Sequence, residues 1–275
     1  MLAASQTNRE SPSNQRRAAR VLFLCFVAYS FVYTGRLNLS VASPLLQTSG
    51  ILTTDQIGLL GSIFFIVYAA GRIVNGGLGD TISPKPFLTA GLALSALCNL
   101  GMSLLPPSPV LYLLWGANGF FQSMLWGAAL CNVSAAYPGG TMVKRASVIL
   151  SASVGVGMLI GVVLPTLLAF WGLKEIFWVP GLLLLLLSFL LWLLLPNQNS
   201  RKKASNRVHF TCLRNPMVKK MLFPAMAHGA IKENLTMWAP LLFLEFYGLD
   251  LAHATFFIFL MPLATLLGRL LFPFW

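Results

Sequence analysis

The stretch Arg36-Leu-Asn-Leu-Ser-Val-Ala-Ser-Pro-Leu-Leu46 recurs later in the chain as Lys232-Glu-Asn-Leu-Thr-Met-Trp-Ala-Pro-Leu-Leu242. The two copies align without a gap, at a constant offset of 196 positions. They share a cation, an asparagine, a hydroxyl residue and the ending Pro-Leu-Leu. A shorter match pairs Gly71-Arg72-Ile73 with Gly268-Arg269-Leu270. An internal period of this length indicates a chain built from two related halves.

The composition around this repeat is that of a membrane protein. Of the 275 residues, 57% are hydrophobic and only 9% are charged, whereas a soluble domain carries about 25% charged residues. Runs of about 20 apolar residues cross a bilayer as helices, so the sequence predicts an all-α polytopic fold. The predicted spans are 21–46, 56–79, 87–105, 110–137, 146–170, 176–195, 221–246 and 251–275.

The charges between the spans predict the orientation. The chain has 19 Lys and Arg residues against 7 Asp and Glu, and the basic residues cluster in gaps on the side of the N-terminus. Because cytoplasmic loops carry the excess of Lys and Arg, we expect a cytoplasmic N-terminus in a cell (inner) membrane. This role accounts for the positive charge without a nucleic-acid partner. The scattered Cys and His residues match no metal, cofactor or enzyme motif.

The repeat also predicts the domain organisation. We expect a cytoplasmic tail at 1–20, a six-span domain at 21–195, a cytoplasmic linker at 196–220 and part of a second domain at 221–275. Six spans followed by a second copy are typical of a parallel repeat with twelve spans. We therefore expect an incomplete product, whose eight spans alone would not close a central cavity.

Two repeat-related cations, Arg36 and Lys232, fall near the middle of their spans. A cation at that depth costs about 2.5 to 3.5 kcal/mol, so it should face a cavity or a partner. We predict that the two cations face each other and share an anionic substrate, with the repeat-related Asn38 and Asn234 beside them. The alternative is a structural ion pair between Lys232 and Glu233, although adjacent helix positions do not face each other.

Aromatic side chains accompany these cations at helical spacing. Tyr29 and Tyr33 share one helix face with Arg36, at i, i+4 and i+7. The same i, i+4 spacing recurs in two further pairs, Tyr68 with Arg72 and Gln122 with Trp126. These residues are candidate substrate ligands, and packing remains the alternative for each.

The segment from Gly76 to Lys85 predicts a conformational element. Its glycines allow helices to approach closely, and Asp80 and Lys85 could form an ion pair that breaks when a carrier opens inward. The alternative is a simple tight turn.

The segment 76–85 resembles the loop between helices two and three in the major facilitator superfamily. More narrowly, Tyr-x-x-x-Tyr-x-x-Arg-x-Asn at 29–38 resembles the organophosphate:phosphate antiporters. This resemblance implies that Arg36 and Lys232 hold phosphate, and that Tyr29, Tyr33, Tyr68, Arg72 and Trp126 line the cavity. Three positions depart from that family's pattern. Lys232 stands where the family has an arginine, Ala152 where it has a histidine, and Gly229 where it has a tyrosine.

We therefore predict a monomeric secondary transporter that exchanges a phosphorylated organic anion for inorganic phosphate by alternating access in the lipid bilayer. One alternative is a carrier of another organic anion driven by proton symport. The other is a transporter-like membrane sensor of sugar phosphate, whose segment 196–220 contacts a signalling partner.

Overall fold

The computed structural model describes residues 12–137, 140–197 and 216–248, with a few helical residues between 260 and 268. Every regular element in these ranges is helical, which confirms the predicted all-α class. A 3₁₀ turn at Tyr33–Gly35 separates the first two helices. The α-helices are α1 (Pro12–Val32), α2 (Asn38–Thr48), α3 (Thr54–Gly79), α4 (Pro84–Ser103), α5 (Ser108–Ser123), α6 (Leu125–Ala136), α7 (Gly140–Ala169), α8 (Glu175–Leu194) and α9 (Pro216–Tyr247).

The helices follow the predicted spans with two interruptions. Helices α3, α4, α7 and α8 each match one span, whereas the first span is divided between α1 and α2 and the fourth between α5 and α6. Among the described residues, five helical stretches are long and apolar enough to cross a membrane. They are Ser13–Thr48, Thr54–Gly79, Pro84–Ser103, Gly140–Ala169 and Glu175–Leu194.

One predicted span is divided into two helices, and another lies outside the described ranges. The fourth span is absent from those five because Met124 divides it into helices of 16 and 12 residues. Helix α9 covers the predicted span 221–246, and its described residues include one apolar stretch, Met237–Tyr247. The predicted span 251–275 and most of the segment 196–220 lie outside the described residues.

Local sequence signals explain where several helices begin. Helix α3 starts with a capping box, in which Thr53 Oγ1 accepts from the Gln56 N–H and Gln56 Oε1 accepts from the Thr53 N–H. This exchange satisfies two amide groups that the first helical turn leaves free. Helices α4 and α5 carry proline in their first turn, where its missing N–H has no cost.

Two apolar clusters form the interior of the six-span bundle. The first joins α1, α6 and α7 with the start of α4 and the end of α8, on the side of the N-terminus. We call this the N side. The second cluster joins α2, α3 and α5 with the opposite ends of α4, α7 and α8. Buried amide side chains lie between them, because Asn99 on α4 falls between Ala96 of the first cluster and Met102 of the second.

Helix α7 packs unusually close to the interruption of the first span. A Cβ atom at Gly161 would lie 2.7 Å from the Tyr33 carbonyl oxygen, and one at Gly157 would lie 2.7 Å from the Ser30 carbonyl oxygen. Small residues four positions apart allow two helix backbones to approach in this way. Gly157 and Gly161 therefore allow α7 to pack directly on the backbone just before Arg36.

Helix α9 meets the bundle at the end away from the N side. Its Met237 and Trp238 side chains approach Gly61 and Gly58 of α3, and Gln47 Nε2 of α2 donates to Glu245 Oε1 at 2.9 Å. The second copy of the repeat thus contacts the first copy directly at this end.

Candidate functional site

The interruption of the first span positions Arg36. After α1 ends at Val32, the N–H groups of Arg36 and Leu37 both donate to the Tyr33 carbonyl oxygen, at 3.1 and 2.9 Å. The regular helix resumes only at Asn38. In an unbroken helix the Gly35 carbonyl would accept from the N–H four residues later. Here the N–H of Leu39 donates instead to Asn38 Oδ1.

Three buried amide side chains satisfy the Gly35 carbonyl. It accepts from Asn118 Nδ2 at 2.9 Å, from Gln122 Nε2 at 2.9 Å and from Asn99 Nδ2 at 3.3 Å. Ser95 Oγ donates to Asn118 Oδ1 at 2.6 Å and joins the group. Because an unsatisfied buried carbonyl is costly, these amides stabilise the interruption and fix the backbone next to Arg36. We call Ser95, Asn99, Asn118 and Gln122 the amide network.

The guanidinium group of Arg36 is surrounded by aromatic rings. Its Cζ lies 4.6 Å from the centroid of the Tyr68 ring, 5.6 Å from Phe64 and 5.7 Å from Tyr33. Cations are attracted to aromatic faces at such distances, and the attraction strengthens where water is excluded. Aromatic faces on three sides therefore hold the Arg36 side chain inside the membrane-spanning region.

Arg36 and Arg72 converge on the hydroxyl group of Tyr68. Arg72 Nη1 donates to Tyr68 Oη at 2.8 Å, and Arg36 also hydrogen-bonds the Tyr68 side chain. The Arg72 guanidinium lies 5.6 Å from the same ring. Two guanidinium groups therefore share one phenolic oxygen, which creates a positively charged site. Phosphate and carboxylate groups match the donor geometry of such a site.

The remaining aromatic candidates extend this cluster. The rings of Tyr29 and Tyr33 meet edge to face at 6.0 Å, and Tyr29 meets Trp126 at 4.9 Å. The predicted proximity of Tyr29, Tyr33 and Arg36 is thus confirmed. The proximity of Tyr68 to Arg72 is confirmed as well.

A cavity of about 190 Å³ connects this cluster to the N side. It lies between the end of α3, the start of α4 and α6, and Asn75 on its wall bonds Ser123 Oγ at 2.7 Å. We call it the vestibule. Its lining includes Arg72, Asn75, Gly76, Asp80, Ser123, Trp126 and Cys131. Of the conformational candidates, Gly76 and Asp80 therefore lie on the vestibule wall.

Several predicted site residues lie elsewhere. Asn38 is fully buried, and its Nδ2 donates to Asn99 Oδ1 at 2.8 Å and to the Ile176 carbonyl at 3.2 Å. The structure thus corrects its assignment as a substrate ligand, because its donors are occupied inside the bundle. Gln122 likewise turns into the amide network and away from Trp126. The side chains of Lys232 and Asn234 lie outside the described residues.

The predicted ion pair between Asp80 and Lys85 is absent from the described part of the chain. Lys85 is buried, and its Nζ lies 5.4 Å from the centroid of the Trp192 ring on α8. Asp80 is exposed at the end of α3. The neighbour of the Lys85 ammonium group is therefore the Trp192 ring of α8 and not the carboxylate of Asp80. Cys131 is exposed, whereas Cys25 and Cys98 are buried.

Sequence reasoning missed Phe64 and the amide network. Phe64 stacks parallel to Tyr68 at 6.0 Å and supports that ring. Asn99 and Asn118 carried a usable signal, because polar residues inside an apolar span need partners within the protein. The partner itself, one backbone carbonyl, has no signature in the sequence.

The chain matches the family model described as Major Facilitator Superfamily over residues 25–275. It is 27% identical over 175 residues to a probable hexose phosphate transport protein of Chlamydia trachomatis, a match that covers 62% of this chain and 38% of that one. It is 28% identical over 187 residues to a glycerol-3-phosphate transporter of Bacillus subtilis, covering 66% and 41%. The match thus spans about two fifths of the length of these relatives.

A solved structure has a similar fold. It is the inward-facing, occupied form of a bacterial homolog of the human lysosomal transporter Spinster. The similarity has a TM-score of 0.72 at 17% identity and covers 90% of this chain and 57% of that one. At this identity the similarity concerns the fold alone.

Proposed function

We propose that this chain, which belongs to the Major Facilitator Superfamily, acts in a secondary transporter that exchanges a phosphorylated organic anion for inorganic phosphate. The superfamily consists of membrane carriers and not of enzymes. The observation that carries the proposal is the convergence of Arg36 and Arg72 on Tyr68, at the interruption of the first span.

The substrate class follows from the chemistry of this site together with the relatives. The two relatives are described as a probable hexose phosphate transport protein and a glycerol-3-phosphate transporter, and the anionic group that these substrates share is a phosphate monoester. A pair of guanidinium groups binds that end through charge-assisted hydrogen bonds. The organic part would then contact the aromatic surface of Tyr29, Tyr33 and Trp126.

Lys232 supplies the second half of the proposed mechanism. In the repeat it occupies the position of Arg36, and we assign it to the opposite wall of the cavity. Two such cations about 10 Å apart repel by on the order of 1 to 2 kcal/mol at an effective dielectric of about 20. An anion bound between the two cations replaces this repulsion with attraction and draws the two halves of the protein together. The empty carrier would therefore return slowly, and exchange for inorganic phosphate would be faster than net flux.

The charge distribution supports an orientation. Lys85, Lys144 and Arg145 lie at helix starts on the N side, and cytoplasmic ends carry such an excess. We place the N-terminus and the vestibule on the cytoplasmic face of the inner membrane. We also propose that the carrier is a monomer.

The test is counterflow of labelled phosphate in proteoliposomes that contain the intact protein. We expect Arg36→Ala to abolish exchange, because the phosphate loses its central ligand. Arg145→Ala is the matched control, since Arg145 is an exposed arginine at the start of α7. Full exchange by the Arg36→Ala protein would refute the proposal.

Two further outcomes separate the alternatives. Uptake that follows an imposed pH gradient and ignores phosphate inside the vesicles would indicate proton symport. Tight binding of a sugar phosphate without flux would indicate a sensor.

A further inference from the structure

A groove runs along the surface where α4 and α8 pack against each other, and its lining includes no residue of the vestibule or of α9. It has a volume of about 910 Å³. Its walls consist of Pro86, Thr89, Ala90 and Ala93 on α4 and of Leu182, Leu185, Leu186, Ser188, Phe189 and Trp192 on α8. Helix α9 contacts α2 and α3 instead, so this groove faces the bilayer.

The two hydroxyl residues of the groove offer no hydrogen bond to an occupant. Thr89 Oγ1 donates to the Lys85 carbonyl at 3.1 Å, and Ser188 Oγ donates to the Thr89 carbonyl at 2.8 Å. Because these donors are turned into the protein, the groove presents an apolar wall. An acyl chain fits such a wall, whereas a polar ligand does not.

The length of the groove matches one leaflet. Its lining on α8 runs from Leu182 to Trp192, which is about 15 Å at the rise of an α-helix. The hydrocarbon core of a bilayer is about 30 Å thick, so one leaflet contributes about half. The groove starts at Pro86 and Trp192 on the N side and ends near the middle of the membrane.

A buried cation lies at the N-side end of this groove. Lys85 is 9% exposed, and its Nζ sits above the ring of Trp192, which also lines the groove. No carboxylate of the described residues forms an ion pair with it. Its neighbour Trp192 is an aromatic residue of the kind that marks the level of lipid headgroups. A negatively charged group at this level would compensate the lysine.

We propose that the groove binds one anionic phospholipid of the N-side leaflet. The acyl chain lies in the surface groove along α4 and α8, and the phosphate of the headgroup contacts Lys85 Nζ beside Trp192. The site is separate from the substrate cavity, so it does not depend on the proposed transport activity. It would attach the outer helices of the bundle to the membrane at the level of the loop between α3 and α4.

The test measures lipid retained by the purified intact protein. Protein extracted from membranes that contain phosphatidylglycerol and phosphatidylethanolamine is analysed by native mass spectrometry. We expect one retained phosphatidylglycerol per protein. Lys85→Gln should lower its occupancy relative to phosphatidylethanolamine about five-fold, as expected for one lysine near an anionic surface. Lys144→Gln is the control, because Lys144 is an exposed N-side lysine outside the groove.

A second variant tests the acyl chain directly. Ala90 is exposed on the groove wall, so Ala90→Phe should fill the groove and displace the lipid while Lys85 remains. This variant decides the question if Lys85→Gln does not fold. Equal loss of lipid in the Lys85 and Lys144 variants, or unchanged retention in Ala90→Phe, would overturn the proposal. So would a dimer that Ala90→Phe dissociates without any change in bound lipid.

Discussion

At the scale of single residues, the hydroxyl of Tyr68 has the most specific position in the site. It accepts hydrogen bonds from Arg36 and Arg72, while the ring below it contacts both guanidinium groups. The two functions of this side chain are separable by chemistry. The oxygen orients the cations, and the ring attracts them.

We expect Tyr68→Phe to raise the KM for substrate about ten-fold, because each hydrogen bond to a charged group contributes about 1.5 to 3 kcal/mol. The ring remains, so the protein should fold and kcat should change little. Counterflow kinetics over a range of phosphate concentrations measure both constants. Tyr112→Phe, at a half-buried tyrosine near the start of α5, is the control. Equal kinetics in both variants would show that the shared oxygen has no role in binding.

At the scale of elements, the interruption of the first span determines the site. Continuous helix from 21 to 46 was the natural prediction, because apolar runs in lipid must satisfy their backbone internally. The interruption needs donors for the Gly35 carbonyl, and these come from α4 and α5, far away in sequence. Local sequence therefore predicted the helices, but tertiary contacts determined where the first one breaks.

The same reasoning explains which site residues were predicted. Tyr29, Tyr33 and Arg36 were found because they occupy one face, and the Tyr33–Gly35 turn preserves their proximity. Asn38 was misplaced because helix resumes after the interruption and turns its side chain towards Asn99. The position of Lys85 depends on Trp192, a residue of another helix, so spacing within its own loop could not indicate it.

The amide network gives an element-scale prediction. Asn118→Leu should lower the unfolding free energy by about 1 to 3 kcal/mol, because it removes a donor from Gly35 and the acceptor of Ser95. Thermal unfolding in detergent, followed by tryptophan fluorescence, measures the effect. The control is Asn132→Leu, since buried Asn132 only bonds the Ala128 carbonyl in its own helix, and its Oδ1 has no partner among the described residues. Comparable destabilisation by both variants would contradict a special role for the network.

At the scale of the whole molecule, the hydrogen bond and the close glycine contacts between the two copies of the repeat lie at one end. Helix α9 packs on α2 and α3 away from the N side, while the vestibule lies at the N-side end of α3 and α6. Arg36 lies between these two regions, directly before the start of α2. Under the proposed transport function, this arrangement corresponds to a carrier that is closed at the end where α9 packs and accessible through the vestibule.

Cross-linking the closed end should therefore stop transport without blocking the site. Gln47 and Glu245 are in hydrogen-bond contact, so cysteines at both positions can be joined by a short bis-methanethiosulfonate reagent, which forms a reducible disulfide with each thiol. The background carries Cys131→Ser and Cys212→Ser. We expect exchange to fall to the level of protein-free vesicles and to recover when the link is reduced. Binding of phosphate from the N side should persist, because the vestibule stays open. The two single-cysteine proteins are the controls, and undiminished exchange by fully cross-linked protein would show that this contact does not separate during transport.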